Sequence, residues 1–316
     1  MGTIREQALL LGKRKSLVAI LAQDPASVTT AAERPAIVIL NSGIIHRVGP
    51  NRIFVRLARM LAEAGHLVMR FDLSGIGDSE ARTDGLAPVD GALADIREAL
   101  DSLEAARQVR RVILIGLCSG ADHSIIYGGQ DPRVVGVVLI DPSVPRTRGY
   151  YMRHYRGRMF RWRSWLNFAS GRHPFWRMLR AALTPVHAPS ADEPHLEPQA
   201  DLQAAQVRKF LEDAYARTVA AGVDVMAIFT GGREDQHNDP RQLLEAFPAV
   251  AFGSRLDLEC ISSADHTFTA QADRSRLMNL IADWISRRPG SLSPNVDTSV
   301  RYDQAPSSQK SANSCG

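Results

Sequence analysis

The sequence predicts an α/β fold: a mostly parallel sheet with helices on both faces and a helical insertion after the sixth strand. Short apolar runs such as Ala36-Ile37-Val38-Ile39-Leu40 and Val112-Ile113-Leu114-Ile115 recur between turn formers. This is the pattern of strands buried on both faces. Between these runs, apolar residues return every third or fourth position, the mark of helices with one buried stripe. Each run also ends in a loop of small and polar residues, and the carboxyl ends of parallel strands are where such sheets place ligands.

Taken in order, Leu9 to Leu11 and Leu17 to Leu21 read as two opening strands around the basic turn Lys13 to Lys15. The run from Pro35 to Leu40 is the next strand and delivers Asn41-Ser42-Gly43-Ile44. Phe54, Leu57, Ala58, Leu61 and Ala62 then keep helical spacing after Pro50, and Gly65 stands where that helix stops. Val68 to Asp72 returns to the sheet and breaks into Leu73-Ser74-Gly75-Ile76-Gly77-Asp78-Ser79. Leu93, Ile96, Leu100 and Leu103 mark the following helix, and Val134 to Ile140 is a strand ending at Asp141-Pro142. After a long segment without strand pattern, Val207, Phe210, Leu211 and Ala214 give an amphipathic helix. Val225 to Phe229 and Leu256 to Ile261 resume the sheet, and Leu277, Leu280, Ile281 and Trp284 close the domain with a helix.

The expected organisation is a core of residues 1–142 and 200–288, an insertion of residues 143–199, and a tail of residues 289–316 too poor in large apolar side chains to pack. At 316 residues, 45% hydrophobic and 23% charged, the composition is that of a folded globular chain. No apolar stretch has the length of a signal peptide or a membrane span, so a cytoplasmic protein is expected. Cys118, Cys260 and Cys315 form no disulfide framework. No cofactor or metal is expected: there is no phosphate-cradling loop, and Gly75-Ile76-Gly77 lacks the third glycine and the setting of a dinucleotide site.

The chemistry centres on Gly116-Leu117-Cys118-Ser119-Gly120, which follows a β-run and opens a helix. Glycines flanking a strand-to-helix corner allow a turn so sharp that the middle residue stands exposed, as in the nucleophile elbow of α/β-hydrolases, here with a thiol in place of the usual serine. A thiol attacks as thiolate and needs a neighbour to ionise it at neutral pH. His266 follows a late strand, and Asp235 follows the strand before it, so Cys118, Asp235 and His266 keep the nucleophile, acid, histidine order of that fold. Glu234 and Asp239 lie close to Asp235, and Asp141 ends another strand, so these remain alternatives for the acid. Ser119, one position past the corner, is the alternative nucleophile. The backbone N–H groups of Ser119 and Ile44 are the expected oxyanion donors, and His46 and Arg47 on the same loop are candidates to orient a substrate carboxylate or phosphate, or to serve the loop's own structure.

Asn41 to Arg52, Arg70 to Ser79, Gly116 to Gly120 and Asp265-His266-Thr267-Phe268 together resemble the α/β-hydrolases associated with exosortase and exopolysaccharide gene systems, relatives of the serine aminopeptidase-like hydrolases. The resemblance runs from about Ala36 to Trp284. It implies an α/β-hydrolase fold, with Cys118 and His266 in the nucleophile and base positions.

A cysteine nucleophile suits exchange with thioesters, because one thioester replaces another at nearly equal free energy. The expected activity is a thioesterase or acyltransferase, with a small-ester or lactone hydrolase of the dienelactone type, or a non-catalytic binding protein on the same fold, as alternatives. Between Ser143 and Ser190 there is no Asp or Glu, while arginines such as Arg146, Arg153, Arg163 and Arg177 mingle with Tyr150, Trp162, Phe168 and Trp176. Such a segment over the nucleophile would act as a lid for an acyl chain held on CoA or a carrier protein, unless its arginines merely face water. The hydrolase motifs and a net charge of only +4 argue against nucleic acid as the partner.

Overall fold

The computed structural model describes residues 4–27, 34–159, 198–233, 236–287 and 301–302. Its sheet has the order β1-β2-β4-β3-β5-β6-β7-β8-β9. The strands are β1 (Arg5–Leu11), β2 (Leu17–Gln23), β3 (Ala36–Leu40), β4 (Val68–Phe71), β5 (Val112–Leu117), β6 (Val134–Ile140), β7 (Asp224–Thr230), β8 (Leu256–Ile261) and β9 (Arg301–Tyr302). The β1–β2 hairpin is antiparallel and joins β4 antiparallel. From β4 onward all neighbours run parallel.

Seven helices are described: α1 (Ile53–Glu63), α2 (Pro88–Arg107), α3 (Ser119–Gly128), α4 (Arg148–Met159), α5 (Pro198–Ala220), α6 (Gln242–Ala246) and α7 (Gln271–Arg287). Alternation along each strand feeds two cores. Ile37 and Ile39 of β3, with Ile113 and Ile115 of β5, face α1 and α7 through Phe54, Leu57, Leu277 and Trp284. Val38 and Leu40, with Leu114, face α2, α3 and α5 through Ile96, Leu100, Ile125 and Tyr215. This two-layered burial is why the strands are apolar without a polar face.

This mostly parallel sheet with helices on both faces is the α/β architecture that the alternating runs predict. Strand order reverses beside β3, whose Leu40 pairs with Gly116 of β5, so the loops after β3 and β5 open into one crevice, the usual ligand position in such sheets. α4 begins and α5 ends the stretch expected as an insertion, and residues 160–197, with the arginines and aromatics they carry, lie outside the described residues. Arg153 of α4 is tied to the core, through Glu245 at 2.7 Å and Asn238 at 2.9 Å. In the tail, Arg301 and Tyr302 pair with Glu259 and Cys260 of β8, where the composition predicts no packed structure. The rest of the tail lies outside the described residues.

Candidate active site

Two glycines make the corner after β5. A Cβ on Gly116 would stand 2.1 Å from the carbonyl carbon of Gly120, and one on Gly120 would stand 2.7 Å from Asn41 O. No side chain fits at either position, which is the physical content of the G-x-C-x-G spacing. Cys118 between them takes φ 56° and ψ −119°, a backbone state costing on the order of 1–3 kcal/mol for a residue with a Cβ. Its carbonyl accepts the N–H groups of Ala121 at 2.9 Å and Asp122 at 3.1 Å, and its own N–H donates to Ile140 O at 2.8 Å. Strand pairing on one side and the first turn of α3 on the other hold the strain in place.

His266 lies on the loop after β8, with its ring a quarter exposed. Asp265 beside it accepts from Thr269 N at 2.7 Å and from the hydroxyls of Thr267 and Thr269, and these bonds, Thr267 first, hold its carboxyl down to about 2. Asn51 Nδ2 reaches from the β3 loop to Thr267 O at 3.0 Å. The histidine loop is thus pinned from within and from across the crevice.

The carboxylate partner of His266 is Asp141, whose Oδ2 stands 2.7 Å from Nδ1. Asp235, the expected acid, lies outside the described residues together with Glu234. Asp239, another alternative, is bonded to Arg241 at 2.9 Å in a local turn. β6 and β7 are neighbours, with Ile140 paired to Ile228, so a carboxylate one residue beyond β6 reaches the same place as one beyond β7. Asp141 Oδ1 accepts Thr230 N at 2.7 Å and Oδ2 accepts Thr230 Oγ1 at 2.7 Å, both at the end of β7. Like Cys118, Asp141 sits at positive φ, 46°.

A second histidine flanks the carboxylate. Nε2 of the buried His237 is 3.3 Å from Asp141 Oδ1. Burial pushes Asp141 up, but His237, His266 and Thr230 outweigh it and hold the carboxyl well below its usual range. The strand-end position Asp141-Pro142 was the signal for this acid; nothing local in the sequence marked His237 or Thr230.

The thiol of Cys118 is pulled below its ordinary value, first by the neighbouring His266, against burial, and further by the Ser119 N–H. His266 is pushed up to about 9, by Asp141 first and then by Cys118, against burial. The structure therefore brings Cys118, His266 and the backbone of Ser119 together, with Asp141, one of the alternative acids, on the far nitrogen of the ring. Arg233, which sequence reasoning passed over, donates from Nη1 to His266 Nε2 at 3.1 Å.

The remaining expected residues fall differently. Ile44 lies at the tip of the turn closed by the Ser42–Ile45 bridge, with its side chain 90% exposed. The loop meets the elbow through its neighbour Gly43, whose N–H donates to Ser119 Oγ at 2.7 Å. Arg47 is committed within the protein: its guanidinium pairs with the buried Asp72 and with Asp78 at 2.6 Å, and its N–H donates to Asp72 Oδ1 at 2.5 Å. Arg47 is a strut of the loop, which is the structural alternative for this residue. His46, one residue earlier, packs its Cβ against Gly77 on the β4 loop.

The sequence profile of the family described as serine aminopeptidase, S33, matches residues 32–214, more than half of the chain. The chain belongs to this family. Membership in the S33 hydrolases makes it a hydrolase of the α/β type, and the solved structures it resembles share the fold. A Pyrococcus furiosus esterase has a TM-score of 0.53 at 14% identity, covering 92% of this chain and 94% of the esterase. The thioesterase domain of the curacin biosynthetic pathway gives 0.52 at 14%, covering 89% and 100%. A carboxylesterase of the thaumarchaeon Nitrososphaera gargenis gives 0.52 at 16%, covering 88% and 99%. No curated protein matches the chain by sequence. Among the described residues no helix is long and apolar enough to cross a membrane.

Proposed function

We propose that this S33-family hydrolase works through an acyl-Cys118 intermediate, with His266 as base and Asp141 as its orienting acid, on activated acyl groups of the thioester class. The observation that carries the reading is that His266, held through Nδ1 by Asp141 at 2.7 Å, stands beside the Cys118 thiol at the carboxyl rim of the sheet. A group at the apex of a strained corner, facing an imidazole fixed through its other nitrogen by a carboxylate, is arranged as an activated nucleophile.

The steps balance without a cofactor. Cys118 gives its proton to His266 Nε2, and Sγ bonds to the acyl carbon as the carbonyl π pair moves onto oxygen. Collapse expels the leaving thiolate or alkoxide, which takes the proton from His266. Water, or an amine or alcohol acceptor, then loses a proton to His266 while attacking the thioester, and Sγ departs as thiolate. The N–H of Ser119, already directed at the sulfur, is placed to meet the oxyanion, with the Gly43–Ile44 turn supplying the second donor.

The thioesterase likeness is consistent with acyl substrates, and the motif resemblance to exosortase-associated hydrolases supports a role beside an export or polysaccharide system. A CoA or carrier-protein thioester is the substrate form this reading favours, with a cytoplasmic location. Intact mass after incubation with acyl thioesters tests it. A stoichiometric acyl adduct should form on the native chain and vanish in Cys118→Ala; an adduct of equal size on both would end the proposal. Turnover of neutral esters and lactones without any adduct would favour the dienelactone-type alternative.

A further inference from the structure

Arg233 ends the short turn Gly231–Arg233 that follows β7. This turn is docked on the histidine loop: a Cβ on Gly232 would lie 2.7 Å from Asp265 Cα, and Gly232 N–H donates to Ala264 O at 3.0 Å. The Arg233 carbonyl accepts both Gln236 N at 2.8 Å and His237 N at 2.9 Å. The backbone is therefore held while the side chain runs to the imidazole, 3.1 Å from Nε2. Its charge is felt by Cys118, by His266 and by the partly exposed Asp122 of α3.

An imidazole nitrogen has one lone pair. Nε2 accepts from Arg233 only on the neutral ring, whereas Asp141 and Cys118 favour the protonated ring. The two contacts belong to different states, and the base is free to take the thiol proton only when the guanidinium lets go. An anion is the natural competitor, since a carboxylate binds guanidinium through two charge-assisted bonds. The guanidinium, 3.1 Å from Nε2, and the sulfur lie beside the same imidazole edge. An anion held there sits within a few bonds of the attacked carbonyl, whereas a phosphate at the far end of a pantetheine arm is out of reach.

We propose that Arg233 selects substrates whose acyl group carries its own carboxylate near the scissile carbonyl, such as a half-thioester of a short dicarboxylic acid, and that pairing with this carboxylate releases His266 Nε2. The proposal rests on the acyl-Cys118 reading, and its test separates the two.

Cys118 is alkylated with iodoacetate and with iodoacetamide, and the site is read by peptide mass. Both reagents form the same S–C bond and expel iodide, and they differ only in the charge two bonds from sulfur. The iodoacetate to iodoacetamide rate ratio should be about tenfold higher in the native chain than in Arg233→Gln, with Arg233→Lys between them. Equal ratios in the native chain and Arg233→Gln overturn the proposal while leaving the nucleophile standing. If neither reagent modifies Cys118 faster than an ordinary thiol, both readings are overturned. In turnover, glutaryl should exceed pentanoyl thioesters equally on N-acetylcysteamine and on CoA. A preference for CoA that Arg233→Gln abolishes would place the anion on the leaving group and defeat the assignment.

Discussion

His266 Nδ1 lies 2.7 Å from Asp141 Oδ2 across 125 residues of sequence, and through this contact β6 and the loop after β8 share one charge. Replacing Asp141 by Asn keeps the shape and one acceptor oxygen but removes the charge that fixes the ring's tautomer. Asp141→Asn should lower kcat by on the order of 10³-fold or more, while Asp235→Asn leaves it within a few-fold. Ester and thioester assays on the two variants decide between the acids; the reverse ranking would return the role to Asp235.

Cys118 holds φ 56° at the corner, so its strain is stored in the folded state. Cys118→Gly should abolish acyl-enzyme formation and raise stability by about 1 kcal/mol, the relief of strain exceeding the extra chain entropy of glycine. Denaturant unfolding measures the gain. A loss of stability instead would mean that the sulfur's contacts outweigh the backbone term.

The thiol proton is governed by the imidazole. Cys118 is depressed and His266 is raised from 6.5 to about 9. His266 has the higher folded-state value, so its stabilisation is complete below pH 6.5 and is lost as pH rises through about 9. The melting-temperature advantage of the native chain over His266→Gln should shrink across that window. Alkylation of Cys118 in the variant should also shift to the higher midpoint of an ordinary thiol, near about 8.5.

Ser119 Oγ accepts Gly43 N–H at 2.7 Å, which ties the β3 loop to the elbow. Ser119→Ala removes that tie at a cost of about 1 kcal/mol, and kcat should fall by less than about tenfold because the backbone donor survives. Complete inactivation with a normal fold would instead mark Ser119 as the nucleophile.

Arg47 holds its charge against Asp72, which has no solvent exposure. Arg47→Ala leaves a buried carboxylate with only backbone donors, and the expected loss is about 3 kcal/mol. Thermal unfolding reads it. A substrate-binding role alone would raise KM and leave the melting temperature unchanged.

Much of this molecule was legible along the chain. Alternating apolar runs and helical stripes carry the α/β order, because burial on both faces of a parallel sheet leaves no polar alternation to obscure it. The elbow was legible because Gly116 and Gly120 answer to atoms of the same turn and of the adjacent β3 end. His266 was singled out by its place between β8 and the last helix.

What sequence alone determined is local: which residues form strands, where the corner must turn, and which side chains stand at strand ends. Which of several acids meets His266 depended on the pairing of β6 with β7, a contact between segments far apart in the chain that brings Asp141 to Thr230. The commitment of Arg47 to Asp72 and the arrival of Arg233 at Nε2 were likewise settled by packing. Propensity and spacing act over a few residues, whereas the partner of a charge is chosen by whichever distant segment the folded sheet sets beside it.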